Sequence, residues 1–196
     1  WKYVVPKGYV RILGKLAELK DSGIDIYFFV GNHDLWMKDY LEEEIGIPVF
    51  FEKQYYEVSG KNFLLAHGDG LGPGDKGYKR MKKLFTNPVA QWFFKWLHPD
   101  IAMKVAIYFS TKNKMISGVE DMTFLGEDKE FLIIYSKDKL KTEKIDYFVY
   151  GHRHLPMILD LKIDNNEAKY VNLGDWISYF TYGVFDGEEF KIETYK

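Results

Sequence analysis

Three apolar runs constrain this 196-residue chain more than any other feature, because each ends in a glycine- and histidine-bearing motif. Ile24 to Val30, apolar apart from Asp25, runs into Gly31-Asn32-His33-Asp34. Phe63 to Ala66 runs into His67-Gly68-Asp69, and Ile145 to Tyr150 into Gly151-His152-Arg153-His154. The first of these runs suits a strand buried on both faces, the parallel kind. Ligand sites of open α/β sheets gather just past the carboxyl ends of such strands. The expectation is therefore three strand ends converging on one crevice. The chain has five histidines, and four of them (33, 67, 152 and 154) obey this rule. His98, in Leu97-His98-Pro99-Asp100, reads as a helix-end residue instead.

The remaining pattern gives the class. Val10, Leu13, Leu16, Ala17 and Leu19 predict a helix over 7–21, closed by Ser22-Gly23. A second helix is expected over 35–44. Strands follow at 49–51, 55–58 and 63–66, with Ser59-Gly60-Lys61-Asn62 as a hairpin turn. Residues 76–114 read as three helical pieces broken near Pro88 and Pro99, and 128–139 as another helix. The tail alternates strands and turns at 156–163, 168–173, 176–184 and 188–195. This is an α/β layered domain spanning 1–196, with 76–114 as a helical insertion. The absence of cysteine excludes disulfide and thiolate chemistry and is compatible with a reducing compartment. No apolar run approaches a membrane span.

Imidazole suits manganese, iron and zinc, while amide and carboxylate oxygens suit manganese and magnesium. His152 and His154 are two residues apart and face one side in extended chain. A single such histidine is more often an ordinary satisfied residue; four at strand ends point to a metal. Asp34 can fix the tautomer of His33 or cap the following helix. Asp69 is either a supporting partner or a turn residue. Asp175, in Asn172-Leu173-Gly174-Asp175-Trp176, reads as turn chemistry near the site. Gly68, Gly70, Gly72 and Gly74 lack the strand–turn–helix spacing of a nucleotide fingerprint.

The net charge of −2 conceals an asymmetry. Residues 76–114 hold nine basic side chains against Asp100 alone, a charge of +8, which leaves −10 on the rest. The same segment carries Phe85, Trp92, Phe93, Phe94, Trp96, Tyr108 and Phe109. Phe85, Val89, Trp92 and Trp96 share one helical face. Such helices can turn aromatics to a core and lysines to water, lie at a lipid interface, or bind single-stranded nucleic acid.

The three motifs, in this order, resemble the calcineurin-like metallophosphoesterases. Within them the run from Leu65 through His67-Gly68-Asp69 to Lys79, the helical insertion and Asn172–Trp176 are similar to the UDP-2,3-diacylglucosamine pyrophosphatases of bacterial lipid A synthesis. The resemblance implies a layered α-β-β-α sandwich with a helical lid and a site for two divalent metals, manganese foremost. By position, Asn32, His67 and His152 would ligate one metal and His154 the other. His33 would contact the phosphate, with Asp34 beside it. Asp75, Ser110, Asn113 and Lys114 would hold the nucleotide or glucosamine part. The implied reaction releases UMP and 2,3-diacylglucosamine 1-phosphate at the cytoplasmic membrane face, with the basic aromatic lid on lipid and no nucleic acid favoured. The alternatives are another phosphodiester or nucleic acid as substrate, or a non-catalytic scaffold. The family's opening Asp-x-His is absent, and Gly174-Asp175 is followed by Ser178 where Gly-Asp-x-x-Asp needs a second aspartate. The expectation is thus a chain that begins after both motifs and lacks the first strands. Partial or no metal occupancy, little activity and self-association along the exposed sheet edge would follow.

Overall fold

In the computed structural model, which describes residues 7–73, 76–108 and 123–196, the periodicity of 7–21 becomes helix α1, Val10–Asp21. The described residues divide into two compact units. One holds those up to Phe51 with those from Arg80 to 108; the other holds those from Glu52 to Lys79 with those from 123 onward.

In the first unit, β1 (Phe28–Phe29) pairs in parallel with β2 (Val49–Phe50), and α2 (Tyr40–Ile45) lies between them in sequence. The parallel pairing expected of Ile24–Val30 is present, but only two of its residues form strand. The partner segment is cut short on one side by Pro48, which lacks an N–H, and by bends at Phe51 and Glu52 on the other. Helix α2 also starts later than 35. Residues 31–39 form turns, and Lys38 adopts φ +52°, which a right-handed helix does not contain. Asp34 therefore does not cap α2; Asp39 sits at that position. Leu13 and Leu16 of α1 pack with Val30, Leu41, Ile47 and Val49 to make this unit's core.

The insertion helices are α3 (Lys76–Phe85), α4 (Pro88–Lys95) and α5 (99–108). Both breaks fall where prolines were expected to place them. Pro88 takes the first helical position, where its missing N–H costs nothing. Asn87 caps α4, its side-chain oxygen accepting from the Val89 and Ala90 N–H groups at 2.9 and 3.2 Å. Asn87→Ala is expected to cost about 1 kcal/mol, read from the shift in denaturant midpoint. Trp36 donates its indole N–H to the Phe85 carbonyl at 2.6 Å and meets Phe94 edge-on, ring centroids 4.6 Å apart. Trp92, Phe93 and Trp96 join none of the core clusters formed among the described residues. They contact one another, and Trp96 is 75% exposed. No helix among the described residues is long and apolar enough to cross a membrane.

The second unit is built on a five-stranded mixed sheet. Its strands are β3 (Gln54–Val58), β4 (Lys61–Ala66), β5 (Tyr147–Tyr150), β6 (Met157–Ile163) and β7 (Asn166–Asn172), in spatial order β3-β4-β5-β7-β6. Ser59 and Gly60, both at positive φ, make the tight turn between β3 and β4, so Lys61 and Asn62 already belong to the strand. Strands β4, β5 and β7 run parallel; the two outer strands are antiparallel to their neighbours. Every residue of β5 is buried. Phe148 and Tyr150 pack with Leu132, Ile133 and Leu140 of α6 (Phe131–Leu140). Tyr147 and Val149 face the opposite way, toward Phe190 and Phe185. These last belong to the hairpin of β8 (Thr181–Phe185) and β9 (Phe190–Thr194). The chain is thus a mixed α/β protein with a central mixed sheet flanked by helix.

Candidate functional site

Sheet register alone sets the histidines of the second unit side by side. In the parallel β4–β5 pair, Ala66 lies opposite Tyr150. One step further, the carbonyl of His67 accepts from the N–H groups of Gly151 and His152 at 3.0 and 2.8 Å. The two imidazoles meet with ring centroids 5.2 Å apart. Gly68 permits this approach. It takes φ +112°, and a Cβ there would stand 3.1 Å from that of His152 and 3.0 Å from Leu132 Cδ1.

Each outer histidine carries a carboxylate on its Nδ1. Asp69 Oδ1 lies 2.9 Å from His67 Nδ1, and its other oxygen accepts the Tyr78 hydroxyl. Asp69 is buried, so it is more than an exposed turn residue. Asp175 Oδ2 lies 3.1 Å from His154 Nδ1. Its Oδ1 accepts the N–H groups of Ile177, Ser178 and Tyr179 at 3.1, 2.8 and 3.0 Å. The turn chemistry expected of Asp175 is real, but it occupies only one oxygen. Burial alone would raise its pKa; the amides of Ser178, Tyr179 and Ile177 and the His154 contact outweigh that and hold it below the usual carboxylate value.

His152 lies between these pairs with Phe131 and Tyr78 around it. Burial, reinforced by neighbouring His67, lowers its pKa to about 3. The imidazole is therefore neutral near pH 7, the form that can ligate a metal. Arg153, the residue between the two histidines, points away from them. Its guanidinium donates to Glu130 Oε1 at 3.0 Å and to the Thr123 carbonyl at 2.7 Å, and Glu130 also receives the Leu125 N–H at 3.1 Å. Arg153 and Glu130 are both buried, so the loop that carries His152 and His154 is anchored from within.

These donors suit a divalent cation in kind. Two imidazoles on one ion, with metal–nitrogen bonds of about 2 Å, have ring centroids about 5 Å apart, close to the separation of His67 and His152. Among the described residues, no three His, Cys, Asp or Glu side chains converge as a complete metal-holding group. Asn32, His33 and Asp34 belong to the first unit. His33 is exposed there, and the Asp34 N–H closes a turn on the Gly31 carbonyl at 3.0 Å. Asp75, Ser110, Asn113 and Lys114 lie outside the described residues. The roles of Tyr78, Arg153 and Glu130 have no local signature in the sequence, since the Tyr78–Asp69, Arg153–Glu130 and Arg153–Thr123 contacts span 9, 23 and 30 residues.

The chain is similar to several UDP-2,3-diacylglucosamine hydrolases. The chain is 37% identical, over an alignment of 207 residues, to a UDP-2,3-diacylglucosamine hydrolase of Porphyromonas gingivalis, covering 99% of the chain and 78% of that protein. It is 26% identical over 167 residues to the enzyme of that name from Edwardsiella ictaluri, covering 85% of the chain and 63% of the relative, and 26% identical over 171 residues to that of Yersinia pseudotuberculosis, covering 86% and 68%. It thus spans less than two thirds of the Edwardsiella protein. No family model matches the chain.

Proposed function

The chain belongs to the UDP-2,3-diacylglucosamine hydrolases, a metallophosphoesterase family, and on that premise we propose that its protein hydrolyses the diphosphate of UDP-2,3-diacylglucosamine to UMP and 2,3-diacylglucosamine 1-phosphate. The observation that carries this reading is the grouping of His67 and His152, with His154 on the same loop, at the carboxyl ends of β4 and β5. The hydrolysis is metal-dependent in this family, and manganese is the proposed metal. His67 and His152 would hold one cation with Asn32, and His154 the other. A bound divalent cation supplies Lewis-acid polarisation of phosphoryl oxygen and water.

The chain's own residues keep the donors ready. The neutral, buried His152 offers a lone pair without first losing a proton. Asp69 orients His67, and Tyr78 in turn orients Asp69. His33 would contact the phosphate undergoing attack, and Asp34 is assigned beside it. Asp75, Ser110, Asn113 and Lys114 are assigned to the nucleotide or glucosamine part.

The exposed Trp92, Phe93 and Trp96, on a segment of charge +8, support a lid over the acyl chains and a peripheral position at the cytoplasmic membrane face. Their exposure favours lipid over the simpler arrangement in which these rings fill a core.

The test is release of UMP from UDP-2,3-diacylglucosamine by the protein with manganese. Turnover is expected with the wild type and a loss of more than about 100-fold with His152→Ala, since even residues that merely orient a metal ligand cost 10–100-fold. Turnover of simple phosphodiesters alone, or a fully active His152→Ala variant, would overturn the assignment.

A further inference from the structure

His154 and Asp175 are 21 residues apart, yet the sheet makes them neighbours. The antiparallel register of β6 and β7 sets Met157 opposite Asn172. His154 and Asp175 each lie three residues beyond that last pair, where the chain has left the ladder. The hairpin therefore delivers both residues to one end of the sheet, where their side chains meet.

The carboxylate is also aimed. Three backbone N–H groups converge on Oδ1 from 2.8 to 3.1 Å, so rotation of the side chain would forfeit all three. Oδ2 is left directed at His154 Nδ1, 3.1 Å away. The Asp175 side chain is only 7% exposed, and that of His154 is 33% exposed. The histidine thus keeps an accessible side while its partner is sealed in.

An ionised carboxylate only accepts hydrogen bonds. The nitrogen facing it must carry the proton, and in a neutral imidazole the other nitrogen then presents a lone pair. We propose that Asp175 is a positioning residue that locks His154 in its Nδ1–H tautomer and so presents Nε2 to a divalent cation. The cation half of this rests on the metal-dependent reading above; the tautomer half rests on the geometry alone.

The two halves separate experimentally. A long-range ¹H–¹⁵N spectrum of histidine-labelled, metal-free protein, recorded above the ordinary imidazole pKa, reports which His154 nitrogen carries the proton, with His154→Gln assigning the resonance. The wild type is expected to show a protonated Nδ1 and a bare Nε2. Asp175→Asn is the informative variant. Its carbonyl can still accept from Ile177, Ser178 and Tyr179, while its amide now donates to Nδ1 and drives the proton to Nε2. The tautomer signature should invert, and Mn²⁺ affinity by calorimetry should fall about 10–100-fold.

A wild-type His154 protonated on Nε2 overturns the proposal without reference to any variant. So does a folded Asp175→Asn protein, with unchanged circular dichroism, whose His154 signature and Mn²⁺ affinity match the wild type. If wild-type protein shows the Nδ1–H tautomer but binds no Mn²⁺, the metal reading of the site fails and with it the cation half of the proposal; the positioning of His154 stands.

Discussion

Arg153→Met is expected to destabilise the protein by about 3–5 kcal/mol, the cost of leaving one member of a buried ion pair without its partner. The Arg153 and Glu130 side chains are 8% and 4% exposed, so water cannot replace the lost contact. Glu130 would keep the Leu125 N–H, and the Thr123 carbonyl would lose its guanidinium donor. The control is Arg153→Met with Glu130→Met. Removing both charges is expected to recover most of the loss, because an apolar pair of similar volume avoids the desolvation of both ions. Urea unfolding of the two variants decides the matter. A single-variant loss below about 1 kcal/mol would mean that the pair is not sealed from solvent as described.

The second large effect is expected at Gly72 and is isolated by comparison with Gly70. The two glycines have nearly equal φ, +72° at Gly70 and +74° at Gly72, so alanine meets a left-handed φ at both. Their surroundings differ. A Cβ on Gly70 would meet only Tyr78, at an ordinary 3.6 Å, whereas one on Gly72 would stand 2.4 Å from the Phe131 carbonyl oxygen. Gly70→Ala should cost about 1–2 kcal/mol, the left-handed penalty alone. Gly72→Ala should add about 1–3 kcal/mol more, because the start of α6 must move. Equal destabilisation in parallel unfolding curves would rule out the close approach. At Gly72 the need for glycine is room for a helix.

The legible part of this protein is the part written in local pattern. β4 and β5 announce themselves as apolar runs, and the position of histidine just past their ends follows because parallel neighbours finish together. The breaks flanking α4 are local too, since proline acts within one turn. What failed did so where a partner decides the outcome. Ile24 to Val30 has the composition of a longer strand, but its neighbour is ordered as strand only over Val49–Phe50. The helix expected from residue 35 yields to a left-handed Lys38 that no composition rule flags. Asp175 looked like a turn residue because turn chemistry is local, while its second oxygen serves a residue brought in by a hairpin. That contact was within reach of reasoning, given the β6–β7 register, but the register itself depends on where the turn falls. Arg153 and Glu130 left no such trail; a buried pair 23 residues apart in sequence has no periodic signature.

The hairpin of β6 and β7 also determines which changes in chain length the site can absorb. Its turn, at Asp164 and Asn165, lies at the far end of seven paired rungs from His154 and Asp175. Residues added within the turn lengthen a loop in solvent and leave every rung in place. A single residue added along either strand shifts the rungs beyond it, and because side chains alternate faces it turns that strand's outlying side chains to the other face. Changes of length are therefore separated by position: the turn absorbs them, and the strands do not. The meeting of His154 with Asp175 thus gauges the lengths of the two strands and ignores the length of the turn between them.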